Sequence, residues 1–200
     1  MRGHRLVIVA AVCLVGAACS PRNFLTRRLA ADLISSADAF NTPQQFFLRL
    51  GMVSNKDYLS PEYLVLQRRG WITGSTVRCT EDVSPPPCWD VALTPIGVET
   101  FRTLIPSDAG SKQHFAIPTA RRDFVAITGI SRNGNLADVD FTWKWAPLNE
   151  VGAALVAGGV NLKSTVEFKS YDDGWRVLEG SATKTNQNLV DALKDAEPAP

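Results

Sequence analysis

Two hundred residues suit one domain or two small ones, and 45% hydrophobic content with 20% charged residues is globular composition, which excludes a chain of low-complexity disorder. The whole-chain charge of +1 falls to −1 once the two arginines of a basic N-terminus are discounted, so no electrostatic footprint for nucleic acid or acidic lipid is present.

The chain starts with Met1-Arg2-Gly3-His4-Arg5, a short basic segment, followed by an unbroken run of apolar and small residues from Leu6 to Ala18. That run is too short for a spanning helix, which needs ~20 residues, and has the shape of a secretory signal. It ends Leu14-Val15-Gly16-Ala17-Ala18-Cys19-Ser20. This resembles a bacterial lipoprotein signal, in which cleavage before a cysteine is followed by lipidation of that cysteine. Gly16 stands where such signals usually carry leucine. The resemblance implies a signal peptide over 1–18, lipidation at Cys19 and a tether over 19–23. Ser20 then implies sorting to the outer membrane, with a soluble body on the periplasmic face of the cell envelope. The alternative is ordinary cleavage after Ala18, which leaves a free Cys19.

Without Cys13 and Cys19 two cysteines remain, Cys79 and Cys88. In an exported chain such a close pair reads as a disulfide, with two free thiols as the other reading. A zinc site wants four ligands, and His114 is the only histidine after the signal.

Phe24–Ala37 reads as a helix, with Leu25, Leu29 and Leu33 at i+4 spacing and an Arg28–Asp32 pair on its wet side. Gln45–Val53 reads as one buried strand and Ser54–Asp57 as a loop. Ser60-Pro61-Glu62 opens a helix that Gly70 closes. Trp71–Thr73 and Trp89–Thr94 are extended, bracketing the Cys79–Cys88 loop, and a helix follows from Pro95 to Leu104. The run from Leu64-Val-Leu-Gln-Arg-Arg-Gly-Trp-Ile72 through Ala92-Leu-Thr-Pro-Ile-Gly97 resembles the second half of a winged-helix domain. Its implied wing tip carries Glu81 and Asp82 where phosphate contacts need Lys or Arg. The resemblance therefore implies a local fold without its usual nucleic-acid activity.

Residues 106–120 read as a proline-punctuated connector, with Phe115–Ile117 as a short edge strand. The next segments read as a meander: 122–131, 136–145, 164–171 and 174–179, with a turn at Arg132-Asn-Gly-Asn135. Ala137–Trp145 alternates apolar and polar residues strictly. Pro147–Lys163 reads as a long loop with one helical turn near Glu150–Leu155, Asn186–Lys194 as a short helix and Glu197–Pro200 as a frayed tail. Asp173-Gly-Trp-Arg-Val177 together with the meander resembles cone-shaped domains of the nuclear-transport-factor-like or cystatin-like kind.

The expected fold class is α+β: N-terminal helices with a disulfide-closed winged-helix-like hairpin over 24–105, an antiparallel meander of four strands over 115–180, and a helix and tail over 181–200. Motif searches find no phosphate loop, nucleophile elbow, zincin helix or Cys-x-x-Cys. Asp138 and Asp140 on one strand face could serve as an acid–base pair or calcium ligands, but read first as a solvent face paired with Lys169 or Arg122. Trp143, Trp145 and Trp175 read as core before they read as a binding wall. No catalytic, cofactor or metal residue is assigned. The expected partners are a membrane through the lipid, and an envelope protein or small ligand. The function expected is a non-catalytic binding or structural lipoprotein. The alternatives are a small pocket enzyme on the cone-like sheet and a winged-helix nucleic-acid binder.

Overall fold

The computed structural model describes residues 24–80, 86–106, 113–179 and 188–199. The expected signal, Cys19 and the expected tether lie outside these residues, as do Glu81 and Asp82. The fold is mixed α+β with antiparallel sheets, and a disulfide joins Cys79 to Cys88.

Helix α1 (Arg27–Ser36) starts where the Thr26 hydroxyl accepts the Leu29 amide, and it buries Ala30 and Ile34. A single turn, α2 (Asp38–Asn41), follows. The expected single strand over 45–53 is two strands in two sheets. β1 (Gln44–Arg49) and β2 (Gly51–Ser54) part at Gly51, whose φ of +72° is open to glycine at little cost. The expected loop at 54–57 is one helical turn, α3 (Asn55–Tyr58), because the Ser54 side chain caps it. Then come α4 (Pro61–Arg68), β3 (Ile72–Val77), β4 (Cys88–Leu93) and α5 (Pro95–Phe101). Strands β2, β4 and β3 form a small sheet in that order.

The larger sheet has six strands rather than four. They are β1, β5 (His114–Asn133), β6 (Leu136–Pro147), β7 (Asn161–Tyr171), β8 (Gly174–Val177) and β9 (Glu197–Pro198). The first five lie in the order β1-β5-β6-β7-β8, and β9 pairs with β7, so part of the expected frayed tail is held in the sheet. Phe115–Ile117 is not a short edge strand. It opens the 20-residue β5 and pairs with β1. Pro118 does not interrupt that strand because it sits opposite Gln45, beside a bulge, where its missing N–H costs no ladder bond. Helices α6 (Glu150–Leu155) and α7 (Leu189–Lys194) complete the chain.

Strand β5 serves two cores at different points along its length. Register shifts between Gln44 and Gln45, Phe124 and Ala126, and Ile127 and Gly129 reset the strand alternation, so Phe115, Ile117, Phe124 and Ile127 all turn inward. Phe115 and Ile117 join Leu48, Val53, Leu66, Trp71 and Phe101 in one cluster under α4, α5 and α6. Phe124, Ile127 and Ile130 belong to a second cluster with Ile34, Phe141, Trp143, Phe168 and Leu189, under α1, α2 and α7. Each fully buried large side chain contributes about 1.5–3 kcal/mol.

Candidate functional site

The face of the large sheet under α1, α2 and α7 is packed with its own side chains. Trp143 is 1% exposed, Phe141 and Phe168 are 0% exposed, and Trp145 packs half-buried beside them. Trp175 is buried in the same cluster. The Trp143 indole donates to Ser164 Oγ at 3.0 Å, and Ser164 Oγ donates to the Ala192 carbonyl at 2.7 Å, which ties α7 to the sheet. Arg122 does not pair with Asp138 or Asp140. Its guanidinium lies over Trp145 at 4.7 Å and Trp143 at 5.6 Å, and donates to the carbonyls of Ala39, Phe40 and Thr42. Burial pushes its pKa below the ordinary arginine value, although a guanidinium remains charged in proteins.

Asp138 and Asp140 lie on the opposite, wet face of β6. Asp140 accepts the Thr165 hydroxyl at 2.5 Å, and Asp138 stands across from Glu167. Lys169 is opposite Leu136 instead, with its ammonium over the Tyr171 ring. No group of three or more potential metal-ligating side chains occurs among the described residues.

Besides a depression beside Phe40, Arg122 and Phe124, open space lies along the outer edge of β1. There a cleft of about 450 Å³ has an apolar floor of Phe46, Leu48 and Val53 and a polar rim of Arg49, Asp57, Ser60, Glu62 and His114. A second cavity of about 240 Å³ continues past Gln45 to Leu155 and Val156 at the end of α6. Phe46, Phe47 and Glu62 line both. His114 reaches the rim because it pairs with Arg49 across the strands. The Arg49 guanidinium stands 3.5 Å from Asp57. Glu62 makes no ion pair among the described residues.

Tyr63 fixes the geometry of this cleft. Its hydroxyl accepts the Arg49 N–H at 2.7 Å and donates to the Arg49 carbonyl at 2.9 Å. Burial raises the phenol's pKa, and the hydrogen bond to the Arg49 backbone partly opposes that. Because the Arg49 backbone groups go to Tyr63, they point away from β5. The Leu50 N–H, by contrast, donates to the Gln113 carbonyl at 2.7 Å. Antiparallel alternation then points the backbone groups of Phe47 and Gln45 outward as well. Pro118 opposite Gln45 agrees, since its carbonyl accepts from Asn149 on β5's other side.

Sequence reasoning missed this cleft, because its walls come from residues as far apart as 46 and 114. One signal was available: adjacent aromatics in a strand point to opposite faces, so Phe46 and Phe47 cannot both be core. Phe47 is 71% exposed. No family model, curated protein or solved structure matches the chain.

Proposed function

We propose that this protein is a lipid-anchored component of the cell envelope whose body is a non-catalytic binding module. The observation that carries the binding role is the cleft along the uncovered edge of β1, with Phe47 standing exposed beside it. The face of the large sheet under α1, α2 and α7 is packed with Phe141, Trp143 and Phe168, which leaves the β1 edge as the open site of this reading. The anchor rests on the Leu14–Ser20 signal and Cys19, with the body following about five residues later at Phe24. Within this reading the β2–α3–α4–β3–β4–α5 unit is a winged-helix-like module used for protein contact. The order of its elements, the Arg69-Gly70-Trp71 turn and the Thr94-Pro95 helix start support that likeness. The acids Glu81 and Asp82 argue against phosphate as its ligand.

The test is radiolabelled palmitate incorporation with Cys19→Ala as control, combined with fractionation. Label that disappears in the variant, in the membrane fraction, is the expected result. An unlabelled cytosolic protein overturns the proposal.

A further inference from the structure

We infer that the outer edge of β1 takes up an extended segment of a partner protein. The segment's backbone pairs with Gln45 and Phe47, its side chains enter the two flanking cavities, and a basic residue faces Glu62. This rests on the binding-module reading above and gives that module a site and a partner class.

The first support is the edge itself. β1 ends the order of the large sheet, and its outward N–H and C=O groups at Gln45 and Phe47 have the spacing of a strand's pairing side. At Arg49 the same outward side is already satisfied by the Tyr63 hydroxyl, which bonds both backbone groups as a neighbouring strand would. At the other end Pro43 and the bulge between Gln44 and Gln45 interrupt it. Proline, bulges and covered backbone are the devices that keep edge strands from pairing indiscriminately. Here they leave a window of a few residues, which suits a short docked segment and not an open-ended sheet.

The second support is the groove beside that window. The two cavities lie along β1, share Phe46, Phe47 and Glu62, and are bounded by α4 and the end of α6. Alternate side chains of a docked strand are about 7 Å apart on the same face, a spacing that serves adjacent cavities. An exposed aromatic beside an apolar floor is the composition of an interface anchor.

Charge selects the occupant. Arg49 is held by Asp57, whereas Glu62 sits in both cavities with no ion pair among the described residues. A lysine or arginine on the incoming strand complements it. A second copy of this chain fits less well. Antiparallel pairing of β1 with itself about Phe47 would bring the two Glu62 side chains toward each other, and like charges across an interface oppose association.

The test uses the full-length protein in detergent. The probes are short synthetic peptides of alternating valine and threonine, with lysine, glutamate or alanine placed at each position in turn. Binding by fluorescence anisotropy and amide exchange at Gln45 and Phe47 are read together. The expected result is about tenfold tighter binding of the best lysine peptide than of its glutamate counterpart, with the preference reversed in Glu62→Lys. Bound peptide slows exchange at Gln45 and Phe47, and Phe47→Glu abolishes binding while leaving Tm unchanged. If no peptide slows exchange at these amides, or the lysine preference survives Glu62→Lys, the inference is overturned. A concentration-dependent dimer that Phe47→Glu dissociates would assign the edge to a second copy and overturn it too. Palmitate labelling of the same preparation separates the two proposals. A labelled protein that binds none of the peptides removes the docking edge and keeps the anchor. An unlabelled protein that binds them removes the anchor and keeps the edge.

Discussion

Tyr63 and two glycines show how single residues set the shape of this molecule. Tyr63→Phe leaves the Arg49 N–H and C=O without their partner, and urea unfolding is expected to show a loss of about 1–2 kcal/mol. The phenol also gives a pH signature. Its folded pKa is raised, so its contribution is complete below the ordinary tyrosine value of about 10 and is lost as pH rises through the folded value. The Tyr63→Phe variant should therefore show a flatter alkaline limb in a stability–pH profile. An identical limb in both proteins would remove this role. Gly97 and Gly152 share another device. Each is the third helical residue after a capping side chain, Thr94 or Asn149, which accepts the glycine N–H. Each lies against a carbonyl of the preceding structure: an added Cβ would sit 1.9 Å from Trp71 O or 1.8 Å from Thr119 O. Those carbonyls are fixed, accepting from Thr94 N and Leu148 N. Alanine at either position is expected to destabilise by about 3 kcal/mol, and thermal unfolding of Gly152→Ala near wild-type Tm would contradict this. The glycine of Leu93-Thr94-Pro95-Ile96-Gly97 is thus a packing requirement, readable in the sequence as a motif but explicable only with Trp71 in place.

Among elements, those announced by local chemistry were legible. Ser60-Pro61 and Gly70 bound α4, and strict alternation located β6. The disulfide was legible from cysteine arithmetic, as the close Cys79 and Cys88 pair. Reducing it releases a short loop, and the expected cost is about 2–3 kcal/mol. Differential scanning calorimetry with and without reductant measures it, with Cys79→Ser/Cys88→Ser as the second arm. What the sequence hid were long-range choices. Leu50-Gly51 sends one apolar run into two sheets, because Leu50 bonds Gln113 while Gly51 turns the chain toward β4. Pro118 and Thr119 look like connector, yet Thr119 is buried and its hydroxyl bonds the Gln44 carbonyl from within the strand. The cleft was illegible for the same reason. Phe47, Glu62 and His114 become neighbours only once β1, α4 and β5 are assembled.

For the whole molecule the central fact is that β5 carries both cores along its length. Damage to either core is transmitted through one strand, so the chain should unfold in a single transition. Ile117→Ala in one cluster and Ile127→Ala in the other are each expected to cost about 2–5 kcal/mol and to shift that same transition. Two resolved transitions in either variant would show that the cores are independent. The length of β5 also bears on the proposed anchor. Phe24, five residues from Cys19, packs under the Arg132 guanidinium at one end of β5, while Leu48 pairs with Phe115 at the other. Those ends are separated by about 50 Å of twisted strand. Under the proposed anchoring, β5 would act as a spacer between the tether and the β1 edge. A segment docked at that edge would then sit a strand's length from the tether, at the other end of β5 from Phe24.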